Sequence, residues 1–254
     1  GYPTYRMGAV MAGGDFYSMP LTEENDYLVD FEEIPSDVAA KATMMWLNYP
    51  HNPTGVGAPK AFLQRAVEFC REYDILLCYD NPYCDVTFDG YVAPSVLEVP
   101  GAKDVAIEFN SLSKTYNMAG WRVGMVVGNA EAIEALTVLK TNVDSGIFRP
   151  VQDAAVVALT GDQSWLAERN RIYERRRDVV MEWLPRLGMS AKAPQGGLYV
   201  WARVPAGVDC DQYALEMLEK AGVWMTPGTA FGDYGRGYLR LSLCIGEDQL
   251  REAG

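Results

Sequence analysis

Four short runs of this chain are apolar almost throughout, and each is bounded by polar or glycine-bearing turns. They are Thr43 to Tyr49, Ile75 to Tyr79, Val105 to Phe109 and Val123 to Val127. A strand with one wet face alternates apolar and polar residues, whereas a strand covered on both faces is apolar at successive positions. Runs of the second kind, separated by helical stretches, belong to a mostly parallel sheet sandwiched by helices. Between the first two runs, Pro59 opens a segment with Phe62, Ala66, Phe69 and Tyr73 at helical spacing. The expected architecture is α/β.

The texture changes further along. Pro150 to Leu159 and Gln163 to Leu187 read as helices, the second carrying Arg169, Arg171, Arg175, Arg176 and Arg177. Gly197 to Val204 then reads as a strand, Asp211 to Ala221 as a helix stopped by Gly222, and Gly237 to Leu243 as another strand. This pattern divides the chain into a large domain over 1–172 and a smaller α+β C-terminal domain over 173–254. The opening Gly1-Tyr2-Pro3-Thr4-Tyr5 lacks an initiator Met, and Asp248 to Gly254 stops inside a helix start, so the chain reads as a fragment without its amino-terminal part.

Charge excludes some functions. Lys plus Arg number 22 against 34 Asp plus Glu, a net charge of −12, which argues against a nucleic-acid surface or an anionic-membrane anchor. In that setting the arginine run reads as a solvated helix face with intrahelical pairs. No run reaches the ~18 apolar residues that span a bilayer, so a cytoplasmic protein is expected. The five cysteines, Cys70, Cys78, Cys84, Cys210 and Cys244, form no CxxC pair and read as free thiols in or near the core. A single histidine, His51, leaves no multi-histidine metal site, and no metal is expected. His51 itself reads as a solvent-facing turn residue.

Open α/β sheets bind ligands at the carboxyl ends of their strands. After the first run comes His51-Asn52-Pro53-Thr54-Gly55, after the second Asp80-Asn81-Pro82-Tyr83, and after the third Ser111-Leu112-Ser113-Lys114, with Arg122 beyond. Singly, these are a turn, a helix cap, a surface lysine and half of an ion pair. Gly55 and Gly57 make no dinucleotide fingerprint, because the third glycine and the acidic residue are missing.

In this order the segments resemble the aspartate aminotransferase superfamily, the fold type I enzymes that use pyridoxal 5'-phosphate. The resemblance runs from Tyr2-Pro3-Thr4-Tyr5 through Ser111 to Gly124 and on to the strand Gly237 to Ser242. Gly101 to Gly124 and Asn142 to Phe148 are most similar to the LL-diaminopimelate aminotransferases. The resemblance implies an aspartate aminotransferase-like large domain and assigns roles residue by residue. Lys114 joins the cofactor aldehyde and moves the substrate proton, work that requires a neutral amine. Asp80 lies against the pyridine nitrogen and favours its protonated form, the better electron sink. Tyr83 and Asn52 donate to the ring hydroxylate, and Tyr5 stacks on the ring face. Ser111, Ser113 and Arg122 hold the phosphate, and Arg240 grips the substrate α-carboxylate, with Asn52 beside it.

The same resemblance implies a homodimer with active sites at the subunit interface and small-molecule partners, an amino acid and a 2-oxo acid. The expected reaction is transamination, with LL-diaminopimelate and 2-oxoglutarate as the leading pair and lysine biosynthesis as the setting. Alanine- or aspartate-type transamination, a pyridoxal-phosphate β-lyase and the ligand-sensing half of a transcription regulator stay open at this stage.

Overall fold

The computed structural model describes residues 2–254. Helices α1 (Thr4–Met11) and α2 (Ser36–Ala39) precede the first sheet. Strand β1 (Met44–Asn48) runs parallel to β2 (Leu76–Asp80), and β2 runs parallel to β3 (Ala106–Ser111). Between β1 and β2 lies α3 (Lys60–Glu72), which begins after Pro59 and buries Phe62, Leu63, Ala66, Val67 and Cys70 along one stripe. That stripe packs with Leu47, Tyr49, Leu77 and Tyr79 to form the first core. Full burial of each large side chain contributes about 1.5–3 kcal/mol.

The fold is the expected α/β class, with one departure at the sheet edge. Strand β4 (Gly124–Gly128) pairs antiparallel with β3. The link between them holds α4 (Leu112–Thr115) and a further short turn, but no helix long enough to return the chain for a parallel pairing. Met125 and Val127 of β4 stay exposed instead of being covered.

Three helices follow, α5 (Ala130–Val143), α6 (Arg149–Thr160) and α7 (Trp165–Trp183). A second sheet is then built from β5 (Ser190–Ala191), β6 (Tyr199–Arg203), β7 (Thr226–Pro227) and β8 (Tyr238–Ser242), in the order β5-β6-β8-β7 and antiparallel throughout. Helix α8 (Cys210–Ala221) ends at Gly222, whose φ of +69° is the left-handed cap that glycine adopts without a Cβ penalty. Helix α9 (Glu247–Glu252) closes the chain and packs on α7. The second core joins Val180 and Trp183 of α7 with Val200, Leu239 and Leu243, and takes in Phe88 from the earlier part of the chain. The expected boundary near residue 172 falls inside α7.

Helix α7 corrects the expectation of a solvated arginine face. Arg171 does pair within the helix, with Glu168 at 3.0 Å. Arg169 and Arg177 are buried, however, and Arg175, Arg176 and Arg177 reach other elements: Glu247 at 3.0 Å, the carbonyl of Leu243 at 3.0 Å, and Asp89. The run is amphipathic in another sense, since long apolar stems and forked heads let arginine tie a helix to its neighbours. Cysteine placement is also mixed. Cys70, Cys78 and Cys210 are buried, Cys84 is half-buried, and Cys244 is exposed, contrary to the core reading for that residue.

One buried carboxylate organises the strand ends. Glu108 of β3 accepts from the hydroxyl of Ser95 at 2.6 Å, the backbone N–H of Val96 at 3.0 Å, and the side-chain amides of Asn81 at 3.2 Å and Asn110 at 3.0 Å. Asn81 follows Asp80 and Asn110 precedes Ser111, so this acid braces both strand ends from within the sheet.

Candidate active site

The carboxyl ends of β1, β2 and β3 converge as their apolar, parallel character requires. In register, Asn48 faces Asp80, and Asp80 faces Phe109. Asn48 Nδ2 donates to the Asp80 carbonyl at 2.8 Å, and Asn48 Oδ1 accepts from the Asn52 backbone N–H at 2.9 Å, so the first strand's end fixes both the second strand and the turn that follows. That turn is held from a distance. Gly55, at φ +72°, accepts from the N–H groups of Gln195 and Gly196 at 2.8 and 3.1 Å, and a Cβ there would meet Pro194 at 2.2 Å.

Asn52 is buried, and its Oδ1 accepts from Nη1 of Arg240 at 3.1 Å. Because guanidinium only donates, the amide oxygen must face Arg240, which leaves the Nδ2 donors for another partner. Arg240 stands in the middle of β8, with Nη2 at 3.5 Å from Thr226 Oγ1. Its guanidinium lies 4.0 Å from the ring of Tyr199 and 4.8 Å from that of Phe231. The two rings flank the fork at cation–π distance. Tyr83 is buried, hydrogen-bonded to Tyr199, and its hydroxyl is held well above the ordinary phenol range, chiefly by desolvation.

Burial raises Asp80 above the ordinary carboxylate range, while a hydrogen bond from the Tyr5 hydroxyl pulls in the opposite direction. The Tyr5 hydroxyl donates to the Asp80 carboxylate, and its ring lies on Trp46 at 5.0 Å and 15°. Trp46 in turn stacks on Phe109 at 5.1 Å. These rings share the face of the sheet that carries Asp80, since alternate residues along each strand point to one side.

Ser111 caps α4, its Oγ accepting from the Ser113 N–H at 3.2 Å. Ser111, Ser113 and Arg122 line one concavity beside β4 together with Asn110 and Gly124. Arg122 is exposed, adopts a left-handed φ of +52°, and donates Nη1 to the Ala119 carbonyl at 2.9 Å, leaving its other donors for a ligand. Lys114 sits on α4 between Ser113 and the buried Thr115.

Residues 1–253 match the family described as aminotransferase class I and II. The chain belongs to that family. Relatives inside the family are close: the chain is 51% identical over 253 residues to an LL-diaminopimelate aminotransferase of Moorella thermoacetica, covering 100% of this chain and 65% of that protein. It is 47% identical to LL-diaminopimelate aminotransferase 2 of a Nostoc species, with the same shares covered. The chain therefore spans 65% of the length of these relatives. Among solved structures, apo-BacF of Bacillus subtilis superposes with a TM-score of 0.96 at 42% identity, covering 100% of this chain and 68% of that one. A probable N-succinyldiaminopimelate aminotransferase of Thermus thermophilus gives a TM-score of 0.94 at 36% identity, covering 99% and 67%. Class I and II aminotransferases depend on pyridoxal phosphate, and the donor set of this family member fits it. A carboxylate, an amide and a phenol surround one strand end, and two hydroxyls and a guanidinium line the adjoining concavity.

Two residues of the aminotransferase-family chain escaped sequence reading, Tyr199 and Phe231. Tyr199 lies two residues before Trp201, the register partner of Arg240, so period-two alternation along Gly197 to Val204 holds the signal. His51 overturns its expected place. It is 5% exposed, its Nδ1 lies 2.9 Å from Thr54 Oγ1, and burial pushes its imidazole down to about 3. The folded chain therefore refuses a proton that the unfolded chain accepts below about pH 6.5, and stability falls from there toward lower pH by up to about 1.4 kcal/mol per unit. Because the chain has one histidine, its imidazole NMR signal is unambiguous. The signal is expected to stay neutral down to about pH 5, where an exposed histidine is mostly charged. A midpoint near 6.5 would contradict the burial.

Proposed function

We propose that the whole protein is an aminotransferase that moves the amino group of LL-diaminopimelate to 2-oxoglutarate. The observation that supports it most is the bond between Arg240 and Asn52, which joins a carboxylate-binding guanidinium on the second sheet to the turn after β1. No helix among the described residues is long and apolar enough to cross a membrane.

Pyridoxal phosphate would be held by Asp80, Asn52, Tyr83, Ser111, Ser113, Arg122 and Lys114, and when bound it supplies an aldehyde that accepts an amine and a ring that spreads the electron pair left on the α-carbon. Arg240 binds the α-carboxylate with its fork, which Tyr199 and Phe231 already flank, so little freedom is lost on binding. Lys114 Nζ takes the α-proton and later returns it, the general acid–base step. Asp80 holds negative charge at the strand end, and Tyr5 keeps that carboxylate turned by occupying Oδ2. Asn52, with Oδ1 engaged, offers N–H donors, and the Tyr83 hydroxyl remains protonated at neutral pH. With a division at 1–172 and 173–254, the cofactor side would lie in the first part and Arg240 in the second.

A second copy of the chain is the proposed partner. Val138, Leu139 and Val143 of α5, with Phe148 just beyond, expose apolar surface in a chain of net charge −12, and α5 buries no residue of its own. The β-lyase and regulator readings are not favoured by relatives named as aminotransferases.

Donor choice is tested by kcat/KM for LL-diaminopimelate, alanine, aspartate and an aromatic amino acid, each with 2-oxoglutarate. A site built to pair a distal amine and carboxylate rejects donors lacking them by about 10⁴-fold. LL-diaminopimelate is expected to lead, and alanine or aspartate leading would overturn the donor while leaving transamination.

A further inference from the structure

The proposed site depends on a lysine carried by a helix too short to hold itself. Helix α4 has four residues, and a lone turn fixes many backbone angles for few hydrogen bonds. Its carbonyl end is gathered from outside. Arg169 of α7, only 6% exposed, donates Nη1 to the carbonyl oxygens of Lys114, at 3.0 Å, and of Thr115, and donates Nη2 to that of Asp85 at 2.6 Å. Its Nε meets Asn170 Oδ1 at 3.1 Å, and the guanidinium lies 5.6 Å from the Trp165 ring. Asp85 belongs to the segment that continues from Asp80 and Tyr83. Two further bonds strengthen the junction: Thr115 Oγ1 donates to Asp85 Oδ2 at 3.2 Å, and Asn170 Nδ2 to the Asp85 carbonyl at 3.0 Å.

Buried arginine is costly unless its donors are used, and buried carbonyls are costly unless they are met. Here each satisfies the other. A planar fork can join carbonyls at fixed relative positions, which a point-like ammonium cannot do. We infer that Arg169 is a positioning residue that sets Lys114 against the Asp80–Tyr83 segment. This inference rests on the reading of Lys114 given above. Arg169 touches no reacting atom; it fixes the distance and direction from which the lysine amine works.

The test uses the full-length protein, with pyridoxal phosphate as the probe and Arg169→Ala and Arg169→Lys beside the parent. Three quantities are measured: the rate at which borohydride fixes the cofactor to the Lys114 peptide, the separate kcat and KM values, and the unfolding midpoint. A displaced amine slows both trapping and turnover, so Arg169→Ala should lose about tenfold or more in each, with KM for the donor nearly unchanged. Arg169→Lys, which can meet one carbonyl but not three, should recover part of the loss at the parent's fold content. If Arg169→Ala does not fold, Arg169→Lys is read against the parent on the same measurements, and a deficit in trapping and kcat is expected. A folded variant that traps and turns over at the parental rate would overturn the role of Arg169 while leaving Lys114 in place. Label on a different lysine in the parent would overturn both.

Discussion

Lys114→Ala in the full-length protein should abolish transamination, with kcat falling about 10⁴-fold or more, because in the proposed mechanism one side chain serves both as the covalent anchor and as the proton carrier. The loss should not be one of folding. Helix α4 is capped by Ser111 and tied at its carbonyl end by Arg169, contacts that involve no atom of the Lys114 side chain. Non-covalent uptake of pyridoxal phosphate should survive, since Ser111, Ser113 and Arg122 remain along the concavity. Residual turnover within about tenfold of the parent would mean that another group moves the proton.

Asp80→Ala should slow the chemical step about 10³-fold. Opposed unit charges in contact near a protein surface gain about 4 kcal/mol, and each 1.36 kcal/mol is tenfold in rate. Asp80→Asn separates charge from scaffolding. The amide still accepts from the Tyr5 hydroxyl but carries no charge, so it should be nearly as slow as Asp80→Ala while keeping the parent's unfolding midpoint. Single-turnover rates decide the matter, because product release does not mask them. A rate for Asp80→Asn within about tenfold of the parent would show that position, not charge, is what Asp80 contributes.

Much of this site is legible in the sequence, for a physical reason. Strands buried on both faces are apolar throughout, so polar residues at their carboxyl ends stand out, and Asn52, Asp80, Ser111 and Lys114 all follow such runs. What is hidden depends on contacts between distant segments. His51 lies buried in a turn against which the loop at Pro194 to Gly196 packs at Gly55, and nothing near residue 51 announces that loop. Arg169 satisfies main-chain carbonyls, which every residue possesses, so its partners leave no trace in side-chain identity. Tyr5 shows the limit of a motif. The motif suggests a ring-stacking role, but the contacts Tyr5 makes, its ring on Trp46 and its hydroxyl on Asp80, come from strands far along the chain. The direction of β4 is likewise decided by the short link after β3 and not by its apolar composition.

The central claim is that Lys114 carries the cofactor. Borohydride reduction of the full-length protein loaded with pyridoxal phosphate, followed by peptide mapping, tests it most directly. The account predicts one label per chain, on the peptide containing Ser111 to Thr115, and no label on that peptide in Lys114→Ala. Stoichiometric label on any other lysine of the parent, or labelling of that peptide that persists in Lys114→Ala, would contradict it.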